Sequence, residues 1–170
     1  MSNIWFVSDA HLGHRNIAAM RPEFVTAADN DEHIIRHWTE LVTKRDTVYC
    51  LGDMAFTEDA LARILTLPGR KILVKGNHDV CAGNFESSVY EKILGLEKYK
   101  KIWLSHAPIH PTELRGKVNV HGHIHRANIV DPRYFNICPE SLELRYGRPM
   151  ITLVELRTWI TERFPNYYTP

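Results

Sequence analysis

The sequence has few features of a secreted or membrane-bound protein. Its three cysteines, Cys50, Cys81 and Cys138, form no Cys-x-x-Cys pair, which favours reduced thiols and a cytoplasmic location over a disulfide framework. The first apolar run, Ile4 to Val7, has no basic segment before it, so we expect no signal peptide. No apolar run approaches the roughly 18 residues that span a bilayer, and we therefore expect no membrane partner.

The sequence also lacks an excess of charge of either sign. Its 21 basic and 20 acidic residues give a formal net charge of +1, which gives no strong sign of nucleic-acid binding, although a neutral total can conceal a local basic patch. With 170 residues and 44% apolar content, we expect one globular domain over residues 1–170, as a monomer or small homo-oligomer. The abundant residue is histidine, with ten copies.

Polar, metal-competent residues follow a series of short apolar runs. The predicted strands are Ile4–Ser8, Thr47–Leu51, Lys71–Lys75, Lys101–Leu104 and Val118–Val120. Aspartate, asparagine or histidine comes directly after each run or closely follows it. The carboxyl ends of parallel strands meet at one edge of a sheet, where ligands bind in α/β folds, so these side chains are expected to gather there.

Helical segments separate the strands. The spacing of apolar residues predicts helices over Asp31–Val42 and Thr57–Leu67, the second with Thr57 as N-cap and Pro68-Gly69 as its end. A weaker pattern predicts a helix over Ser87–Leu94, and the tail is predicted as a strand over Met150–Leu156 followed by an amphipathic segment over Trp159–Phe164. Alternating strands and helices predict a layered α/β fold.

The first two groups of polar residues suit a metal site. Asp9 and His11 are two apart in an extended segment, so their side chains point the same way and can bind one ion. Asp53 follows Gly52, a residue that permits a tight turn, and its carboxylate can bridge two cations. Each pair alone also occurs in ordinary turns.

The later groups add neutral ligands and a candidate acid. Asn77 offers a neutral carbonyl oxygen, and His78 is followed by Asp79, a carboxylate that can orient an imidazole. His106 follows the fourth run, and His123 and His125 again have the spacing that lets both face one cavity.

Other histidines fall outside this series. His121 is expected to point away from the cavity, and we assign no role to His14 or His110. His33 and His37 are four apart on a predicted helix, an arrangement that can bind zinc. Without a further ligand motif, we interpret them as part of an ordinary helix face.

The whole ordered series resembles the calcineurin-like metallophosphoesterase family. The residues that carry the resemblance are Asp9-x-His11, Gly52-Asp53, Gly76-Asn77-His78-Asp79, His106 and Gly122-His123-x-His125. The resemblance implies an α/β fold, a four-layer α/β/β/α sandwich with two metals at one edge, in a small single-domain bacterial or phage phosphoesterase. It carries over no role for His14, Arg15 or Arg126.

The resemblance also implies the ligands of each metal. One metal would be held by Asp9, His11, Asp53 and His125, and the other by Asp53, Asn77, His106 and His123, with Asp53 bridging. His78 matches the position that contacts the phosphate and protonates the leaving oxygen, and Asp79 matches its partner.

This ligand set suits phosphoester hydrolysis. Two divalent ions at roughly 3.5–4 Å can hold a bridging hydroxide in line with phosphorus, and neutral histidine and asparagine ligands leave positive charge for the phosphate. The mixture of imidazole and carboxylate favours Mn²⁺, Fe, Zn²⁺, Ni²⁺ or Co²⁺ over Ca²⁺, with Mn²⁺ the first choice.

The sequence favours a small-molecule, nucleotide or cyclic-nucleotide phosphomonoester or phosphodiester as substrate. A protein phosphatase, a nuclease, a non-catalytic scaffold and a structural-metal protein stay open as alternatives.

Overall fold

In the computed structural model, which describes residues 2–79 and 86–168, nine strands form two sheets. The first sheet contains β1 (Ile4–Val7), β2 (Thr47–Cys50), β3 (Arg70–Val74), β4 (Lys92–Leu94) and β9 (Ile151–Thr152), in the order β4-β3-β2-β1-β9. The second contains β5 (Glu97–Tyr99), β6 (Ile102–Ser105), β7 (Val118–His121) and β8 (Tyr134–Asn136), in the order β5-β6-β7-β8. Pairing is parallel except for β9 on β1 and β5 on β6.

Six helices and one 3-10 turn connect these strands within the described ranges. They are α1 (Ile17–Met20), α2 (Ala27–Leu41), α3 (Glu58–Thr66), α4 (Glu86–Val89), the 3-10 turn Pro111–Leu114, α5 (Pro139–Tyr146) and α6 (Leu153–Arg163). Thr57 caps α3 as predicted, because its hydroxyl accepts a hydrogen bond from the Ala60 N–H at 3.1 Å. No described helix is both long and apolar enough to cross a bilayer.

Two hydrophobic cores lie on opposite faces of the first sheet. Side chains alternate along a strand, so β1 contributes Trp5 and Val7 to one core and Phe6 to the other. The first core packs this sheet against α2 and α3. The second joins both sheets and is closed by α5 and α6, where Trp159 lies 4.4 Å from the ring of Phe135. The predicted α/β/β/α sandwich is confirmed.

Two predicted elements differ from the structure. The segment Ser87–Leu94 is only partly helical, because α4 ends at Val89 and the following residues form β4, an edge strand that pairs with β3. The predicted strand Met150–Leu156 is restricted to Ile151–Thr152. There Thr152 and Glu155 form a capping box that starts α6, which also contains most of the predicted amphipathic segment.

Five further elements were not predicted: β5, β8, α1, α5 and the 3-10 turn Pro111–Leu114. The strands β5 and β8 and the helix α5 are short and carry weak periodicity.

The described cysteines are as expected. Cys50 and Cys138 are free and buried, and burial raises the pKa of both thiols. Cys81 lies outside the described residues.

Candidate metal centre

The predicted ligands come together at the carboxyl ends of the strands. Two groups of side chains each bring their ligand atoms within 4.8 Å of one another: Asp9, His11 and His125, and Asp53, His106 and His123. They follow β1, β2, β6 and β7 along the chain. Parallel pairing aligns the strand ends within each sheet, and packing of the two sheets about the second core brings together segments more than 100 residues apart.

The first group contains buried ligand atoms without a hydrogen-bond partner. Asp9 is fully buried, and its Oδ2 accepts hydrogen bonds from the Ser8 hydroxyl, the His123 N–H at 2.9 Å and the Cys138 thiol at 3.3 Å. Its Oδ1 and the Nε2 of His11 lie 3.7 Å apart, and neither has a partner among the described residues. Buried polar atoms are normally paired, so these two atoms fit a bound cation.

The second group has the spacing of ligands around one ion. The Nε2 of His106 lies 3.2 Å from Asp53 Oδ2, 3.0 Å from Asn77 Oδ1 and 3.2 Å from His123 Nδ1. Two ligands at roughly 2.1 Å from a common ion are about 3.0–3.4 Å apart in octahedral or tetrahedral geometry. Asn77 therefore belongs with this group.

Asp53 lies between the two groups. Its Oδ2 is 3.9 Å from His11 Nε2 and 3.2 Å from His106 Nε2, while its Oδ1 accepts a hydrogen bond from the His78 N–H at 2.8 Å. One carboxylate oxygen thus faces ligands of both groups, as a bridging ligand requires.

The backbone at this edge is held in an uncommon conformation. Five of the predicted ligands have positive φ: Asp9 (47°), His11 (52°), Asp53 (53°), His123 (71°) and His125 (48°). Such residues cost about 1–3 kcal/mol each and concentrate at functional sites. Hydrogen bonds from Asp9 N–H to Gly52 O and from His11 N–H to Asp53 O, both 3.0 Å, hold the first two. Gly52, at φ 86°, makes the tight turn predicted for it.

Two of the histidines have their ring nitrogens assigned by their hydrogen bonds. His106 Nδ1 lies 2.8 Å from the Leu51 carbonyl, which can only accept, so this nitrogen carries the proton and Nε2 has the lone pair. His125 Nδ1 lies 3.0 Å from Glu140 Oε1, an arrangement that likewise leaves Nε2 free for a metal.

Sequence reasoning missed a buried network behind the first group. Arg21, with 1% of its surface exposed, donates to Glu140 Oε1 at 2.8 Å, to Asn30 Oδ1 at 2.7 Å and to the Asp9 carbonyl at 2.7 Å. The same Glu140 oxygen also accepts a hydrogen bond from His125 Nδ1. The network fixes Asp9 and His125 together. No spacing rule links Arg21 to Glu140, since 119 positions separate them.

The electrostatics of the site favour cations. Burial raises the pKa of Asp9 and Asp53, but the surrounding imidazoles and hydrogen bonds outweigh it and hold both carboxyls below their ordinary range. Burial lowers the pKa of His106, yet its hydrogen bond with Asp53 and the charge of Asp9 raise it to about 8. Burial raises the pKa of Glu140, but the interactions with His125 and Arg21 outweigh it and lower this pKa to about 2. Without metal, protons therefore compete for His106.

His78 and Asp79 have separate surroundings. The exposed His78 ring lies 4.8 Å from Phe56 and 6.1 Å from His11. The buried Asp79 accepts hydrogen bonds from the N–H groups of Asp53 (2.8 Å), Gly76 (2.8 Å) and Met54 (3.0 Å), and none of its described hydrogen bonds reaches His78. Asp79 thus joins two ligand loops instead of orienting the imidazole.

The remaining histidines lie outside both ligand groups. His33 pairs with Glu143 at 2.5 Å, and His37 contacts the His33 carbonyl at 2.9 Å, so these two belong to a helix face as expected. The buried His121 contacts Tyr134. His14 packs on Phe56 and His11 at the rim of the centre. Arg126 pairs with Glu23 at 2.7 Å.

Known proteins resemble this chain over most of its length. The gene 66 protein of Mycobacterium phage D29 is 31% identical, over 81% of this chain and 87% of its own. A crystal structure of a protein of unknown function from Aquifex aeolicus has a TM-score of 0.70 and 27% identity, covering 93% of this chain and 99% of that one. The Pseudomonas putida nuclease MPE shares the fold, with a TM-score of 0.52 and 20% identity over 72% of this chain and 61% of its own.

The family model described as the calcineurin-like phosphoesterase superfamily domain matches residues 2–149. This range contains every residue of the two ligand groups. The chain therefore belongs to the calcineurin-like phosphoesterase superfamily.

Proposed function

We propose that this protein is a metal-dependent phosphoric ester hydrolase that uses two divalent ions to cleave phosphomonoesters or phosphodiesters. The observation that carries the proposal is the position of Asp53 Oδ2 between two groups of ligand atoms. A structural metal site fills its positions with protein ligands, usually cysteine and histidine, whereas carboxylate and amide ligands here leave positions for water and substrate.

The ligand assignment follows the two groups. Asp9, His11 and His125 would hold one ion, and Asn77, His106 and His123 the other, with Asp53 bridging. When bound, two such ions activate water and neutralise charge on the phosphate. Imidazole with carboxylate suits Mn²⁺, our first choice for assay, and also Fe, Zn²⁺, Ni²⁺ or Co²⁺. Two divalent ions carry four positive charges, and the carboxylates of Asp9 and Asp53 cancel two of them. Because the histidine and asparagine ligands are neutral, positive charge remains to attract the phosphate.

His78 is the candidate general acid. Its backbone N–H is fixed to Asp53 Oδ1 at 2.8 Å, and its exposed ring leans on Phe56 beside His11. In the reaction, the oxygen of water gives up a proton to solvent and bonds to phosphorus, the bond from phosphorus to the leaving oxygen breaks, and that oxygen takes a proton from His78. Asp79 acts as a positioning residue, since it fixes the loops that carry Asp53 and His78.

The hydrolase is proposed to act as one cytoplasmic domain over residues 1–170, as a monomer or small homo-oligomer. By total charge alone, a nucleotide-sized substrate suits the near-neutral chain. A nuclease is the second candidate, because one relative in fold is named a nuclease and because one part of the surface is strongly basic.

Metal analysis with hydrolysis of p-nitrophenyl phosphate and bis(p-nitrophenyl) phosphate, with and without Mn²⁺, tests the proposal. We expect two ions per chain and Mn²⁺-dependent turnover of at least one ester. Asp53→Ala should lose both ions, since it removes the shared ligand. Two bound ions without turnover of either ester would instead indicate a non-catalytic scaffold.

His78→Ala tests the acid. We expect two bound ions and a loss of about 10²–10⁴-fold in kcat on an alkyl ester, with a much smaller loss on a p-nitrophenyl ester, whose leaving oxygen needs no proton. His37→Ala, in the middle of α2, is the matched control and should leave both rates unchanged. Equal losses on both esters would exclude proton donation by His78.

A further inference from the structure

The near-neutral charge of the chain hides a basic segment beside the metal centre. Residues 92–117 contain six lysines and arginines and only two acidic residues, Glu97 and Glu113. With a total of +1, the rest of the chain is therefore net acidic. Glu113 pairs with Arg115 at 3.3 Å, whereas the ammonium groups of Lys98, Lys100 and Lys101 have no ion-pair partner among the described residues.

These three lysines are presented by the hairpin of β5 and β6. Ile102 and Leu104 face the second core, so Trp103 and its cross-strand neighbour Lys98 lie on the outer face of the sheet. The Lys98 ammonium sits 5.9 Å from the centre of the Trp103 ring, which holds it on this face.

Lys100 and Lys101 occupy the two turn positions of the hairpin. Both have positive φ, 45° and 71°, as a type I′ turn requires, and this turn strongly favours asparagine and glycine. Lysine at both positions is conformationally unfavourable. Exposed cationic side chains at a costly backbone position point to a use for the charge rather than to the needs of the turn.

A groove borders the metal centre on the side of the loop that precedes β5. Its volume is about 700 Å³, and it is lined by Asn77, His106 and His123 at one end and by Leu96, Pro108 and Ile109 along its length. Leu96, 45% exposed, immediately precedes β5. The groove therefore offers apolar contacts next to the ligand atoms, and Leu96 joins it to the strand that carries Lys98.

The dimensions fit a short stretch of polynucleotide. In the strand register, Lys98 lies opposite Trp103, three residues before His106, and Lys101 lies five residues before it. At ~3.3 Å per residue, these lysines begin roughly 10 Å and 16 Å from the centre. A nucleic-acid strand places phosphates every ~3.4 Å when stacked and further apart when extended, so about two to five nucleotides span this distance.

We propose that the substrate is a single-stranded polynucleotide whose scissile phosphodiester lies at the metal centre and whose flanking phosphates lie along Lys98, Lys100 and Lys101. A base or sugar next to the scissile bond would contact Leu96 and Ile109 in the groove. This inference rests on the proposed function for cleavage, in which the oxygen of water bonds to phosphorus, the bond from phosphorus to the leaving sugar oxygen breaks, and that oxygen is protonated. Binding of the strand does not depend on it.

The test measures binding and cleavage separately. Fluorescence anisotropy of a labelled 12-nucleotide oligo(dT) in EDTA, at 50–200 mM salt, reports binding by the full chain without hydrolysis. The triple variant Lys98→Gln, Lys100→Gln, Lys101→Gln removes three charges and should lower the slope of log K against log salt by about 2. With Mn²⁺, its KM for the oligonucleotide should rise about tenfold, while kcat/KM for bis(p-nitrophenyl) phosphate stays within about twofold.

The matched control is Arg36→Gln, Lys44→Gln, Arg45→Gln, three exposed cations on and after α2. It should reproduce the wild-type salt slope. An unchanged slope in the hairpin variant, an equal change in the control, or tighter binding of a duplex of the same length would overturn the inference. Failure of the wild type to hydrolyse either p-nitrophenyl phosphate or bis(p-nitrophenyl) phosphate would count against the proposed function alone, because the binding result is independent of it.

Discussion

Glu140→Gln examines whether the buried network controls one metal position. Glu140 has a side chain that is 2% exposed, and its Oε1 receives Arg21 Nε at 2.8 Å and His125 Nδ1 at 3.0 Å. The glutamine has the same shape and can still accept a hydrogen bond, but its charge is gone. His125 should then be a weaker and less well oriented ligand.

The structure allows both effects of this substitution to be estimated. Loss of a hydrogen-bonded carboxylate behind a metal-binding histidine typically lowers affinity about 10–100-fold, or about 1.4–2.8 kcal/mol. The change also leaves Arg21, 1% exposed, without its counter-charge. Breaking a buried pair costs about 3–5 kcal/mol of unfolding free energy, and we expect the lower end because glutamine keeps one hydrogen bond.

Calorimetric titration with Mn²⁺ and urea unfolding measure the two effects. The affinity for the ion held by Asp9, His11 and His125 should weaken. The affinity for the other ion should stay within about threefold of wild type. The control is Glu143→Gln, one turn further along α5, which pairs with His33 away from both ligand groups. Two wild-type affinities in Glu140→Gln, or equal weakening in Glu143→Gln, would refute the assignment.

Two further predictions concern buried carboxylates. Asp79→Asn should lower the unfolding free energy by about 2–4 kcal/mol. The asparagine amide cannot accept hydrogen bonds from all three N–H groups that now bond to Asp79, so about two buried groups are left unpaired. Urea unfolding, with Asp59→Asn as the exposed control, checks this. Asp46 accepts hydrogen bonds from the N–H groups of Asn3 and Thr43, which outweigh burial and lower its pKa below 3.8. Since the folded value is the lower one, the stabilisation is present above pH 3.8 and is lost as pH falls through the folded pKa. The difference in unfolding free energy between wild type and Asp46→Asn, about 1.5–3 kcal/mol at pH 7, should therefore shrink below pH 3.8, and a constant difference would contradict this account.

The sequence by itself determined where the chemistry lies along the chain. Each predicted ligand follows a strand whose apolar character is visible locally, and parallel strands bring such ends to one edge. Five of the predicted strands are present as β1, β2, β3, β6 and β7. They could be predicted because β-branched and apolar runs bounded by turn residues are short-range signals. Short elements with weak periodicity, such as β5 and α5, carry no such signal.

Only the tertiary structure decided how the ligands are held. Arg21 and Glu140 gain their meaning from a contact across 119 positions, and the carboxylate of Asp79 turns toward three backbone N–H groups instead of its neighbour His78. The positive charge of residues 92–117 can be counted from the sequence. The distance of its lysines from the metal ligands depends on the register of β5 against β6, which only the structure gives. Local pattern fixes which residues can bind a metal. Long-range packing fixes their geometry, because a hydrogen bond between distant segments has no local spacing to reveal it.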